Sequence, residues 1–472
     1  MTPIYLLIVG LVIVIGSILW LRLHPILALF LGALTVALLT PAPLLEQYAA
    51  SSGFSPQQTE ALLTQSPGQR IAIAFGKTAE QIGLLIVLAS IMGKCLLASG
   101  AAERIVRSML KVFGERKTPV AFTVSSFLLA IPIFFDTIFY LMIPLARAIG
   151  VRKQKAYALS VMAIIAGGTM AHSLVPPTPG PLFAAGALGV NVGMMIIMGT
   201  IIGLACSTAG MLYGVWLNRR QDIPLRTTQD TSIEELKEWL EKDTAQLPSF
   251  FMSSLPIALP VMLIAGSTIL SNITVEIPDS VHGFFRITGN PVIALFIGAV
   301  ISLILLARQH AFHLKELKKP VEEAIYSAGT IILITATGGA FGAMLQQTSI
   351  GTWLAELAPQ YKLATLPLAF FITAIIRTAQ GSATVAMITA VGMLTVLNTP
   401  GALSYHPVYL AIVIGCGSKL FPWMNDSGFW IICKMSGFTE SETIRNFSVL
   451  LTIMGVTGLV ACMTLAKIFP LI

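Results

Sequence analysis

Five ionisable side chains stand within apolar stretches of this sequence, beside runs that interrupt a helix. Asp136 follows Ile131-Pro132-Ile133-Phe134-Phe135, and His172 precedes Pro176-Pro177-Thr178-Pro179-Gly180-Pro181. Arg377 precedes Gln380-Gly381-Ser382-Ala383-Thr384, while Lys419 and Asp426 bracket a further polar interruption. An unpaired cation in such a setting is costly, so Arg377 and Lys419 are candidates to bind a carboxylate. A carboxylate shielded from bulk water can take up and release a proton near neutral pH, which makes Asp136 and Asp426 candidate proton carriers. His172, an imidazole that titrates near pH 6.5 in water, could relay protons or donate to a ligand. The competing readings are structural: Arg377 paired with Asp426 or reaching for the interface, the carboxylates capping local backbone N–H groups, and His172 as a satisfied donor.

The run Gln380-Gly381-Ser382-Ala383-Thr384 offers amide and hydroxyl donors, with a glycine that lets backbone approach closely. Donors suit a carboxylate or sugar hydroxyls, although small residues also serve close helix packing. Each interruption frees helix ends whose backbone N–H groups carry positive partial charge and can face an anion.

The elements that must position these residues are membrane spans. Hydrophobic residues make up 55% of the 472 residues and the 39 glycines raise this to about 63%, against roughly 45–50% in soluble domains. Charged residues are only 11%, and mean hydropathy is +0.83. These values exclude soluble enzymes and disordered, collagen-like or disulfide-framework proteins. The formal charge of +7 arises from basic residues in short loops, so it reports topology and not nucleic acid. The five cysteines lie in apolar runs without metal spacing, which points to no metal and no cofactor. Met1 runs directly into an apolar stretch with no basic n-region, so the first span is expected to remain in place.

Lys and Arg mark inside loops at 103–117, 147–155, 219–248 and 308–323, whereas 41–69 and 398–406 carry none and face outside, as do both termini. The segment 118–148 then has both flanks inside and must enter and return as a re-entrant hairpin. The segment 363–397 has both flanks outside and is its mirror image. Two broken spans, 156–187 and 407–436, follow these hairpins in the same order. The sequence therefore reads as an all-α polytopic membrane protein with two inverted-topology repeats, 1–218 and 249–472, joined by a cytoplasmic linker at 219–248. Irregular backbone at membrane depth must be covered or line a cavity, so the four interruptions should meet at one site.

Three runs, 172–181, 379–386 and 425–430, resemble motifs of the gluconate:proton symporter family, the gluconate permeases, in an order that extends over nearly the whole chain. The resemblance implies a proton-coupled importer of gluconate or a related sugar acid, in the fold of the wider ion transporter superfamily. It adds Thr178, Asn425 and Ser427 to the substrate-binding set of Gln380, Gly381, Ser382, Thr384, Arg377, His172 and Lys419. It further implies an elevator-type transport domain against a dimerising scaffold, in the lipid of the inner membrane. Thr178 stands where the family leads one to expect His, and Asp136 where Glu is expected. The alternatives are sodium-coupled transport of a di- or tricarboxylate and, in another class, an intramembrane enzyme using Asp136, His172 and Asp426 as acid/base groups. A channel fits paired interruptions less well, and Gly76-Lys77-Thr78 lacks the first glycine of a phosphate-binding loop.

Overall fold

The structure is a computed structural model that describes residues 3–21, 23–114, 117–153, 156–221, 223, 225–226, 247–271, 278–309, 314–350, 365–398, 403–424 and 426–471. Side chains at 18–19, 152–153, 314–316 and 379–380 lie outside this description. Among the described residues the only regular secondary structure is helical.

The first half runs α1 (Pro3–Leu19), α2 (Pro25–Leu39), α3 (Ala42–Ser51), α4 (Pro56–Thr64), α5 (Pro67–Ala98), α6 (Ala101–Phe113), α7 (Thr118–Leu129), α8 (Phe135–Lys153), α9 (Tyr157–Leu174), α10 (Pro179–Ala187) and α11 (Val192–Arg220). The second half runs α12 (Phe250–Leu270), α13 (Asp279–Thr288), α14 (Pro291–Gln309), α15 (Leu314–Gln346), α16 (Thr365–Gln380), α17 (Ala383–Leu394), α18 (Val408–Gly417), α19 (Ser427–Ser436), α20 (Glu440–Thr443) and α21 (Leu450–Ile468). Among the described residues seven runs are long and apolar enough to cross a membrane: Pro67–Ala98, Tyr157–Ala187, Val192–Arg220, Phe250–Leu270, Pro291–Gln309, Leu317–Gln346 and Glu440–Ile468.

Three stretches expected to be loops are helical. The 41–69 segment holds α3 and α4, where Ser55 with Gln58 and Ser66 with Gln69 form reciprocal capping boxes at the starts of α4 and α5. The 103–117 segment is mostly α6, which buries Ile105 and Val106 and pairs Arg107 Nε with Glu103 Oε1 at 2.8 Å. The basic stretch after 147 continues α8 to Lys153. Local capping and amphipathic spacing won over the loop signal of charge. Most of the 219–248 linker, including all of 227–246, lies outside the described residues, as do 363–364 at the start of the second expected hairpin.

The packing is reciprocal between the halves. α5 and α15 lie along each other, α2 packs on α15, and α14 packs on α5. α9 packs against α7 and α11, and α18 packs against α16 and α21. At Gly167 of α9 an added Cβ would lie 2.1 Å from the Thr123 carbonyl oxygen of α7. At Gly417 of α18 it would lie 2.5 Å from the Phe370 carbonyl oxygen and 2.9 Å from Thr373 Cβ of α16. At each of these two glycines the backbone of an earlier helix comes close enough to exclude a side chain.

Polar contacts gather at opposite ends of the bundle. At one end Arg226 forms a bidentate pair with Glu442 at 2.6 and 2.8 Å and also donates to the Gly437 carbonyl. Arg147 of α8 donates there to the carbonyls of Met435 and Arg226. At the other end Arg70 of α5 donates to Gln347 Oε1 of α15 at 2.9 Å, and the Asn398 side-chain amide donates to the Leu188 carbonyl at 2.8 Å.

Candidate functional site

Each interruption stops its helix for a local reason. α7 ends at Leu129 and α8 begins at Phe135, which puts Asp136 in the first turn of α8, where a carboxylate suits the helix dipole. α9 ends at Leu174 and α10 begins with Pro179 at its first turn, since proline needs no intrahelical donor there. Between α16 and α17, Gly381 takes φ +77°, a left-handed value that favours glycine. Ser382 then caps α17, its hydroxyl accepting from Val385 N. α18 ends at Gly417 and Asp426 caps α19, accepting from Gly428 N at 2.7 Å.

These ends meet. Arg377, 3% exposed, donates through Nη2 to Asp426 Oδ2 and through Nε to the Ser418 carbonyl at 2.9 Å. Its Nη1 is buried without a hydrogen-bond partner among the described residues. Gly381 N donates to the Arg377 carbonyl at 2.9 Å, so the tip is seated on the arginine's own turn. A Cβ at Gly428 would lie 3.2 Å from Asp426 Oδ1 and 3.7 Å from Asp136 Oδ1, so the two carboxylates flank that glycine. Asp136 interacts electrostatically with Asp426, Arg377 and Lys419. Lys419 is 3% exposed, and its ammonium has no ion pair among the described residues. Trp423 Nε1 donates to the Thr378 carbonyl at 3.1 Å, tying the α18–α19 interruption to the last turn of α16.

His172 and Thr178 sit on the neighbouring face of this cluster. His172 is buried, its ring centroid is 5.5 Å from that of Phe134, and its Nδ1 has no partner among the described residues. Both residues line a narrow cavity with Pro132, Ile133 and Phe134 of the α7–α8 interruption. The Thr178 hydroxyl donates to the Val175 carbonyl at 2.7 Å. His172 also lies within electrostatic reach of Lys419.

Arg377, Lys419, Asp136, Asp426 and Gly381 thus form one cluster, with Ser382 next to it and His172 within reach. Thr384 is half-buried at the start of α17, and Ser427 is exposed at the start of α19. Asn425 and the Gln380 side chain lie outside the described residues. Sequence reasoning missed the Ser418 carbonyl and Gly428, which hold the ion pair in place. The Asp426-Ser427-Gly428 order, an acidic cap two residues before a glycine, carried that signal. Among the described residues no group of three or more His, Cys, Asp or Glu could hold a metal.

A sequence profile of the GntP family permeases matches residues 60–469. A gluconate permease of Pseudomonas aeruginosa is 30% identical over 473 residues, covering 98% of each chain. A gluconate permease of Zymomonas mobilis is 30% identical over 442 residues, covering 93% of this chain and 92% of the other. The fold is similar to that of the YdaH transporter of Alcanivorax borkumensis, whose crystal structure reveals an unusual topology, with a TM-score of 0.60 at 16% identity over 95% of this chain and all of that one. With apolar crossing helices throughout and a profile match over most of its length, the chain is a multi-pass inner-membrane protein that belongs to the GntP permease family.

Proposed function

We propose that the protein imports gluconate or a closely related sugar acid together with protons, as a secondary carrier and not an enzyme. The observation that carries this reading is the group where the interruptions converge, in which Arg377, Asp426 and Lys419 are buried and Asp136 is half-buried beside them. Arg377 and Asp426 cancel each other and fix the α16–α17 tip against the start of α19. Lys419 and Arg377 Nη1, which has no hydrogen-bond partner among the described residues, then offer positive charge to a substrate carboxylate, and Ser382 offers a donor to its hydroxyls, with Gln380 a further donor by sequence alone. Thr384, Thr178, His172 and Ser427 are the further binding candidates, and Asn425 is one by sequence alone.

Coupling follows from charge. With Asp136 ionised, an incoming carboxylate meets a carboxylate as well as Lys419. A proton on Asp136 removes that repulsion, so proton and substrate favour each other's binding. On the empty return Lys419 and ionised Asp136 neutralise one another, which keeps the unloaded site from carrying charge through the membrane. Asp136 has this role in preference to Asp426 because Asp426 already holds Arg377 and caps α19.

The reciprocal helix contacts and the equivalent crossings at Gly167 and Gly417 support two inverted repeats, 1–218 and 249–472, with re-entrant pairs at 118–148 and 363–397. The clustered interruptions form a transport body that moves as a unit, elevator fashion, against a scaffold of α1, α2, α12 and α14 through which two copies pair. Counterflow in proteoliposomes tests the carrier and its substrate class together: gluconate trapped inside should draw in labelled gluconate, and other sugar acids should compete. Absence of counterflow, with the label chemically altered, would favour an enzyme.

A further inference from the structure

Away from this site, α5 carries Arg70, Ala74, Lys77 and Gln81 on one face, at spacings of four, three and four residues. That face looks into a cavity of about 470 Å³ shared with α4, α10, α15 and the end of α17. The volume falls in the range of small-molecule sites, about 300–1,000 Å³. Arg70 and Lys77 line it together with side-chain amides that include Gln58, Gln81 and Gln346, and among the described residues that line it none is acidic. Arg70 is 4% exposed and is held rigidly, Nη1 on Gln347 Oε1 and Nη2 on the Ala37 carbonyl at 2.6 Å. Its Nε is buried and has no partner among the described residues. Lys77 is exposed and has no ion pair among the described residues, so its charge is available to a ligand.

We infer that this cavity is a loading site for a polyhydroxylated carboxylate, with Lys77 taking the carboxylate and the glutamine amides taking hydroxyls. The inference rests on the transport reading above and adds a second binding place to it. Gly392 of α17 lines the cavity, and it stands eleven residues along the chain from Gly381, about 16 Å of helix. The cavity is thus separate from the Arg377–Asp426 cluster, yet its wall is built partly from the element that carries the tip. It also lies at the end of the bundle away from Arg226, Arg147 and Glu442, the end expected to face outside. A cationic cavity lined by low-dielectric walls raises the local concentration of anions and their rate of capture. Phe183 of α10 and Thr395 after α17 line it as well, so a substrate held here touches both the long α5–α15 pair and the elements next to the central cluster.

The test uses the full chain in right-side-out membrane vesicles, with gluconate as the probe. At low ionic strength Lys77→Gln should raise KM about 3- to 10-fold with Vmax unchanged, Lys77→Glu should raise it further, and Lys77→Arg should stay within about twofold of the parent. Added salt should shrink these differences, because a solvated charge is screened within about 10 Å at 0.1 M. A Lys77→Glu protein with the parent's KM at low salt overturns the loading site and leaves the transport reading standing. A parent protein that takes up no sugar acid beyond vesicles without it overturns the transport reading, and the loading site with it.

Discussion

Arg377 and Asp426, 49 residues apart in the chain, form a buried ion pair in which the carboxylate uses one oxygen for the arginine and the other to cap α19 through Gly428 N. The pair joins the α16–α17 tip to the α18–α19 interruption, and the Ser418 carbonyl on Arg377 Nε adds a third point of attachment. Removing one partner of a buried pair leaves the other charge uncompensated, at about 3–5 kcal/mol. Arg377→Met and Asp426→Asn should each lower the thermal unfolding midpoint of the detergent-purified protein sharply. The double variant should be less destabilised than the sum of the two. Additive losses would show that the pair is not an energetic unit.

Ser382 caps α17 and stands next to the cluster. Ser382→Ala should weaken gluconate binding about 10- to 150-fold, the value of a hydrogen bond to a charged group at about 1.5–3 kcal/mol. Loss of the cap costs about 1 kcal/mol in stability, which is small enough for the protein to remain folded. Isothermal titration of purified protein measures the affinity directly, and unchanged affinity would remove Ser382 from the site.

Asp136→Asn fixes the neutral form of the proposed proton carrier. Substrate counterflow should persist, because the repulsion that protonation relieves is permanently absent. Accumulation against a gradient should vanish, and counterflow should lose its dependence on pH between about 5 and 8. Retained accumulation in this variant would move the coupling to Asp426 or His172.

Gly167 and Gly417 each admit the backbone of a preceding helix. A Cβ at Gly167 meets a carbonyl oxygen at 2.1 Å, so Gly167→Ala must push α9 from α7 and should cut the yield of folded protein severely. Gly417→Ala should do the same at the α18–α16 crossing. Gly68→Ala, where a Cβ meets nothing within 4 Å, should be neutral. Size-exclusion profiles after mild detergent extraction distinguish these outcomes.

Much of this arrangement was legible along the chain, for physical reasons. The interruptions announced themselves through Pro176-Pro177, Gly381 and the Asp426 cap, since each blocks or restarts a helix whatever surrounds it. Arg377, Lys419, Asp136 and His172 stood out because charge within apolar sequence needs a reason. Arg377 is paired with Asp426, and its Nη1 has no hydrogen-bond partner among the described residues. α4 was hidden in a polar segment whose capping box, Ser55 with Gln58, was the overlooked signal, as the Ser66–Gln69 box was for the early start of α5, while α3 has no such box. The cavity beside Lys77 was not legible, because Arg70 and its partner Gln347 are 277 residues apart and no local pattern joins them.

The proposed motion also makes a measurable claim. A cross-link between cysteines introduced at Thr178 and at Ser382 would stay within one moving body and should preserve transport. A cross-link from Ser382 to α2 should stop it. The reverse pattern would indicate that the halves part around the substrate.

Proton-driven accumulation decides whether Asp136 couples gluconate entry to protons. Labelled gluconate is followed into sodium-free proteoliposomes whose interior is held alkaline to the medium, with the Asp136→Asn protein measured alongside. The parent protein should accumulate gluconate above its external concentration, a protonophore should abolish this, and Asp136→Asn should exchange internal for external gluconate without accumulating it. Accumulation that needs sodium and ignores the proton gradient would show a sodium-coupled carrier and remove Asp136 from coupling.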